Sequence, residues 1–166
     1  MLTGLRQNTQ YVVRVRSLCG DSLSHWKYTY FTTDVANYDR LYVTTTGEGN
    51  GDTWATACNN LNWAMETATR IQGKFGTYPD IWVSAGTYYG DTLSSEAFTM
   101  HEGVSVYGGF AGNEPVDYDL SLRDFAANAT ILDGQHSRRV VNQPNSFNTR
   151  TTLDGFTLRN GYTTES

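Results

Sequence analysis

Apolar and polar positions along the chain fall into short runs with different rhythms. In Tyr11-Val12-Val13-Arg14-Val15-Arg16, residues Tyr11, Val13 and Val15 alternate with Arg14 and Arg16, and a period of two predicts a half-buried strand. Trp26-Lys27-Tyr28-Thr29-Tyr30-Phe31-Thr32 predicts a second strand from its aromatic and β-branched content. Gly20 to Ser24 between them reads as a turn. Thr33 to Arg40 has no period and reads as a linker, followed by a short strand, Leu41-Tyr42-Val43-Thr44-Thr45, and a glycine loop from Gly47 to Asp52. One helix is then predicted, from about Thr53 to Gln72. Leu61, Met65, Ala68 and Ile71 are spaced by four, three and three, a single apolar stripe. Asp52 or Thr53 would cap its start, and Gly73 and Gly76 would end it.

Beyond the helix the pattern repeats. Ile81-Trp82-Val83, Val104-Ser105-Val106, Ile131-Leu132 and Leu153-Asp154-Gly155-Phe156-Thr157-Leu158 are short apolar strands, each near a glycine, separated by 23 to 26 residues. Units this short cannot bury a face alone, so a period of this size predicts stacking into a solenoid. The helix would cover one open end of the stack, where apolar core and unpaired strand edges are otherwise exposed. The last coil, Leu153 to Tyr162, would leave the other end open to self-association, with Thr163-Thr164-Glu165-Ser166 too small and polar to close it.

Composition agrees with a mainly β chain. Its 166 residues include 23 Thr, 16 Gly, 12 Asn and 11 Tyr, types that favour strands and tight turns. Twelve basic against 17 acidic side chains give a net charge of −5, against the basic footprint expected of a nucleic-acid binder. The charge is divided unevenly: residues 1–40 carry five basic and three acidic groups, +2, and residues 41–166 carry seven and fourteen, −7. No run of about 18 apolar residues would make a membrane-spanning helix. The start, Met1-Leu2-Thr3-Gly4-Leu5-Arg6, lacks the order of a secretory signal, so the chain reads as either cytoplasmic or an excised piece. Cys19 and Cys58 have neither metal-ligand nor redox spacing, and free thiols are expected in preference to a disulfide.

Two stretches resemble known families. GLRQNTQYVVRVRSLCGDSLSHWKYTYFTT resembles the last strands of a fibronectin type III domain, with Leu5 and Tyr11 placed like its tyrosine-corner pair. The preceding strands of such a domain have no counterpart here. The phrases LYVTTTGEGNGDTWATACNNLNWAM, IWVSAGTYYG, GVSVYGGFAGNE, LRDFAANATILDG and TTLDGFTLRNGY, in this order over residues 41–162, resemble the beginning of a right-handed parallel β-helix of the pectin-lyase-like superfamily. Within it they resemble the surface group related to polymorphic outer-membrane proteins. The resemblance implies a helix capping the N-terminal end, many further coils, and a secreted or bacterial cell-surface location. The expected organisation is therefore 1–33 partial fibronectin-like strands, 34–40 linker and 41–166 cap and first coils. The expected role is a structural, non-catalytic, adhesin-like or glycan-binding fragment. The alternative is the non-catalytic part of a polysaccharide lyase or glycoside hydrolase whose active site lies in coils beyond residue 166.

Candidate chemistry is sparse. Gly20-Asp21-Ser22-Leu23 with Asp133-Gly134-Gln135-His136 has the form of one esterase family, with Ser22 as nucleophile, His136 as base and Asp133 orienting it. That family implies several helices between the two blocks, so the turn reading is preferred. Asp133 and Asp154 each stand in Leu-Asp-Gly, 21 residues apart. In equivalent places on adjacent coils they would lie about 4.8 Å apart, close enough for a carboxylate pair or a calcium site, although Asp-Gly is also an ordinary turn pair. Glu114, Asp117, Asp119 and Asp124 form an acidic loop without the ligand spacing of an EF-hand. His25, His101 and His136 are scattered, against zinc, and the Gly47–Asp52 loop lacks the Lys that a phosphate loop needs. Trp82, Tyr88, Tyr89, Tyr107 and Phe110 are candidates for a sugar-stacking platform, since aromatic faces offer large contact area at small entropy cost, with core packing or ordinary strand preference as the alternative for most of them. No cofactor is expected, with calcium the sole candidate.

Overall fold

The computed structural model describes residues 5–91 and 93–163. The chain divides into two compact units, 1–36 and 37–166. The division falls inside the aperiodic stretch 34–40. Among the described residues the chain is mainly β with one α-helix.

The first unit is antiparallel. It contains β1 (Gln10–Val15), β2 (Leu18–Cys19), β3 (Ser22–Leu23) and β4 (Lys27–Thr32). β1 and β4 pair from Gln10↔Thr32 to Val15↔Lys27, and β2 with β3 closes the far end through Gly20 and Asp21. Gly20 has φ +60, which a tight hairpin turn demands and glycine adopts at little cost. Alternation puts Tyr11 opposite Phe31, their rings stacked at 5.8 Å. The Arg6 N–H donates to the Tyr11 hydroxyl at 2.8 Å, and the Thr33 hydroxyl donates to the Arg6 carbonyl at 2.5 Å. Val12, Val15, Tyr28 and Tyr30 stay exposed.

The second unit is built from parallel pairs. β5 (Arg40–Val43) is followed by α1 (Leu61–Phe75), β6 (Asp80–Ser84), β7 (Gly86–Tyr88), β8 (Glu96–Thr99), β9 (Ser105–Phe110), β10 (Thr130–Asp133), β11 (Arg139–Asn142), β12 (Thr152–Asp154) and β13 (Phe156–Arg159). They form three sheets, in the orders β12-β9-β6-β5, β13-β10-β7 and β11-β8. In the first sheet Leu41, Ile81 and Val106 stand in register and are fully buried. Such fully apolar positions on neighbouring strands suit parallel sheets covered on both faces. α1 supplies one cover. It packs against β5, β6 and β8 and buries Leu61, Met65, Ala68 and Ile71, the expected stripe, together with Ala64 and Thr67.

Two expectations are corrected here. The near-constant spacing of apolar strands does not join successive members of one ladder. Ile81 pairs with Val106, 25 residues on, but Val106 pairs with Leu153, 47 residues on. Ile131 pairs in the second sheet, with Thr87 and Thr157. Similar short strands therefore alternate between sheets, and the loops between them vary in length.

The helix also begins later than Thr53. Thr53 instead caps a short 3-10 turn, Trp54–Thr56, and the Asn60 side chain caps α1 by accepting from the Trp63 N–H at 3.0 Å. The intervening residues are taken up by the free edge of β5. Tyr42 N–H donates to Gly51 O at 2.8 Å, Thr44 N–H to Cys58 O at 2.9 Å, and Cys58 N–H to Tyr42 O at 3.0 Å. The edge is thus closed by hydrogen-bonded loop, while the helix contributes apolar cover. The loop can approach because Gly49 has no side chain; a Cβ there would collide with the Thr56 carbonyl. Gly76, at φ +83, ends the helix as expected, with its N–H donating to Gln72 O at 2.7 Å. Gly73 lies within the helix.

At the other end, no further strand is described beyond β12 and β13. Leu158 and Tyr162 are exposed there, and the tail expected to be too polar to close this end lies, past Thr163, outside the described residues.

Candidate functional site

The aromatic residues singled out from the sequence do not make a common platform. Tyr42, Trp82 and Tyr107 share a register position on β5, β6 and β9, but this face is roofed by the chain itself. Trp82 is 1% exposed, with Phe110 stacked at 4.4 Å and the Arg40 guanidinium 3.6 Å from the ring centre on the cation–π side. Trp54, Tyr118 and Leu120 pack around the same cluster. Tyr107 is partly buried under Arg123, whose guanidinium carbon lies 5.4 Å from its ring centre. The rings of Trp82 and Phe110 are therefore covered by the chain itself and that of Tyr107 is covered in part, because apolar rings on a sheet face gain more from cover than from water.

Asp133 and Asp154 are likewise separated. They belong to different sheets, Asp133 opposite Arg159 and Asp154 opposite Tyr107, so the carboxylate pair is not formed. Asp133 accepts from the Gln135 N–H at 2.8 Å, Arg159 Nε at 2.9 Å and the Asn160 amide. The Gln135 N–H, with Arg159 and Asn160, holds its carboxyl below the usual range although burial opposes this. These bonds leave Asp133 serving the turn and the next strand instead of orienting His136. Ser22 lies in the β2–β3 hairpin. Asp154 accepts from Arg123 at 2.5 Å.

The acidic loop is used in the same local way. Glu114 gathers the N–H groups of Ala111, Gly112 and Asn113, Asp119 accepts from Ser121, and Asp124 accepts from Ala126 and Ala127. Among the described residues no group of three or more His, Cys, Asp or Glu side chains is arranged to hold a metal ion. Cys19 is exposed and Cys58 buried, both as free thiols.

A cleft forms elsewhere, where the start of α1 faces the end of β7. Its volume is about 420 Å³, within the roughly 300–1,000 Å³ of small-ligand sites. Leu61, Tyr88 and Phe98 form its apolar base, and Thr45, Asn59, Asn60, Thr87, Tyr89 and Gly90 complete it. Extended backbone sends successive side chains to opposite sides: Tyr88 is 5% exposed while Tyr89 is 48% exposed. Tyr88 is fixed by its hydroxyl, which donates to the Ser84 carbonyl at 3.1 Å, and burial pushes its pKa up to about 12. It stays protonated and structural at neutral pH. Gly90, at φ +68, turns the chain so closely past Ala97 that a Cβ would strike the Ala97 carbonyl, and Asp91 N–H then donates to that carbonyl at 2.9 Å.

Of the expected site residues, this cleft keeps Tyr88 as base and Tyr89 as the open ring. Thr45, Asn59, Asn60 and Thr87 were not foreseen. The local signals were an Asn pair ahead of a helical stripe and a Thr beside two tyrosines, and only the fold brings them together. Among the described residues no carboxylate, guanidinium or ammonium lines the cleft. Two other hollows differ in carrying charged groups: one near α1 is lined in part by Glu66, Asp91, Glu96 and His101, and one beside β5 in part by Asp39, Arg40 and Asp52. Comparison of the chain with family profiles, curated proteins and solved structures finds no match.

Proposed function

We propose that residues 37–166 are the beginning of a right-handed parallel β-helix from a secreted or cell-surface protein, and that they act as a non-catalytic, adhesin-like, glycan-binding part of it. The three parallel ladders with a covered first edge support the β-helix reading, because stacked coils pair their strands in parallel and need protection where the stack begins. The bond from the Arg6 N–H to the Tyr11 hydroxyl supports a fibronectin-like reading of the first unit, since a tyrosine corner bonds back to backbone a few residues upstream.

The observation that carries glycan binding is the uncharged cleft itself. Hydroxyl and amide side chains surround an apolar base beside a half-exposed tyrosine ring, a combination suited to a polyhydroxylated ligand with an apolar face. An array of bacterial and host polysaccharides probed with the full chain tests it. Retention above that of heat-unfolded chain is expected, and retention of none overturns the glycan reading. The chain is expected not to hydrolyse p-nitrophenyl acetate. Hydrolysis abolished by both Ser22→Ala and His136→Ala would overturn its non-catalytic assignment.

A further inference from the structure

We infer that the cleft between the start of α1 and the end of β7 takes one uncharged pyranose residue of a glycan, with the sugar's C–H face laid on the Tyr89 ring. This rests on the glycan reading above and adds the ring contact and the charge class of the ligand.

Three observations lead to it. The first is hydrogen-bonding capacity. The Thr45 and Thr87 hydroxyls and the Asn59 amide make no hydrogen bond with another described group, and the Asn60 side-chain oxygen is occupied by the Trp63 N–H, leaving its amide donors. Sugar hydroxyls donate and accept together, so they can satisfy a mixture of hydroxyls and amides that a purely donating or accepting ligand could not. The second is shape. Leu61 and Phe98 are buried beneath the cleft while the Tyr89 ring stands half-exposed at its side, offering a flat apolar surface at small cost in side-chain entropy.

The third is electrostatic. Residues 37–166 hold 8 basic and 15 acidic side chains, 8 − 15 = −7. Among the described residues no cationic group lines the cleft to offset that field. A uronate or sulfated sugar would meet repulsion without the guanidinium fork that such anions need. An ammonium-bearing ligand would instead favour the hollow with Glu66, Asp91 and Glu96. The uncharged pyranose is the class that this lining neither repels nor leaves unsatisfied.

The test is a backbone-resonance titration of the full chain with cellotetraose, mannotetraose and xylotetraose as neutral probes and tetragalacturonate as the anionic one. At least one neutral probe should shift Thr45, Asn59, Asn60, Thr87 and Gly90, with Kd on the order of 1 mM, as befits a site open on one side. Tyr89→Ala should weaken that Kd about fivefold through lost stacking, whereas Tyr89→Phe should retain it because the ring face is what binds. Thr87→Val, which keeps shape and removes the hydroxyl, should weaken it about twofold to threefold. Unchanged melting of each variant separates loss of binding from loss of fold.

Tighter binding of tetragalacturonate than of every neutral probe overturns the charge assignment. Binding with shifts elsewhere and a Kd indifferent to Tyr89→Ala overturns the cleft but leaves the glycan reading standing. Absence of shifts with every probe, while polysaccharides are retained on the array, also overturns the cleft alone. Absence of both overturns the two together.

Discussion

Arg123 and Asp154 form an ion pair whose two members should differ greatly in importance. The Arg123 side chain is 6% exposed and that of Asp154 is 49% exposed. Asp154→Asn removes one half-exposed charge, so solvent screening limits the loss to at most about 1 kcal/mol. Arg123→Met removes much more. Its guanidinium donates to Gly108 O at 2.9 Å and its Nε to Leu120 O at 2.8 Å, and Gly108 is buried. An orphaned buried carbonyl costs about 1–3 kcal/mol. The guanidinium also lies 5.1–5.6 Å from the ring centres of Tyr107, Phe110 and Phe125, where cation–π attraction is worth about 0.5–2 kcal/mol.

Met keeps the apolar stem, so the expected loss for Arg123→Met is about 3 kcal/mol, or roughly a 10 °C fall in Tm for a unit of this size. Urea unfolding and calorimetry of both variants measure the difference. Costs within about 0.5 kcal/mol of each other would refute the view that Arg123 acts as a strap over the aromatic cluster and the first sheet.

Gly49→Ala should destabilise the second unit by about 1–3 kcal/mol or more, because the new methyl collides with the Thr56 carbonyl in the loop that closes β5; urea midpoints test this. Asp133 has a carboxyl pKa held below its ordinary 3.8, so the unfolded chain binds more protons between the two values. Its contribution is complete above about pH 3.8 and is lost as pH falls through the lower folded value; Asp133→Asn should flatten the acid limb of a Tm-against-pH curve, and an identical limb would refute the linkage. The outer edges of β12 and β13, with Leu158 exposed, should promote self-association visible by light scattering. Leu158→Lys should suppress it, and equal association of both proteins would show that another surface is responsible.

Local chemistry was more legible in the sequence than long-range pairing. The stripe Leu61, Met65, Ala68 and Ile71 identified the helix and its buried face because helical period depends only on neighbours. Its start was misplaced because Thr53 is a good cap for any helical turn, and nothing local shows that residues 51–58 must serve the edge of β5. The same limit separates Asp133 from Asp154. Leu132-Asp133-Gly134 and Leu153-Asp154-Gly155 read alike, yet their partners, Leu158-Arg159 and Val106-Tyr107, lie on different ladders. Ring exposure was equally hidden: Trp82 and Tyr89 have comparable strand preference, but only the first is roofed by residues far along the chain. The cleft follows the same logic, its members coming from the chain just past β5, the start of α1 and its approach, the end of β7, and β8.

Cys58 carries a temporal consequence of the edge closure. Its thiol is fully buried and lies 3.6 Å from the Tyr42 carbonyl, while its backbone forms the bridge to β5. A thiol reagent can reach the sulfur only when this stretch of backbone lifts away, so the labelling rate of Cys58 becomes a clock for opening at the start of the stack. Exposed Cys19 reacts without such a gate and supplies the intrinsic chemical rate within the same chain. The ratio of the two rates converts a static bond between loop and strand into an opening equilibrium, read without unfolding the rest of the protein.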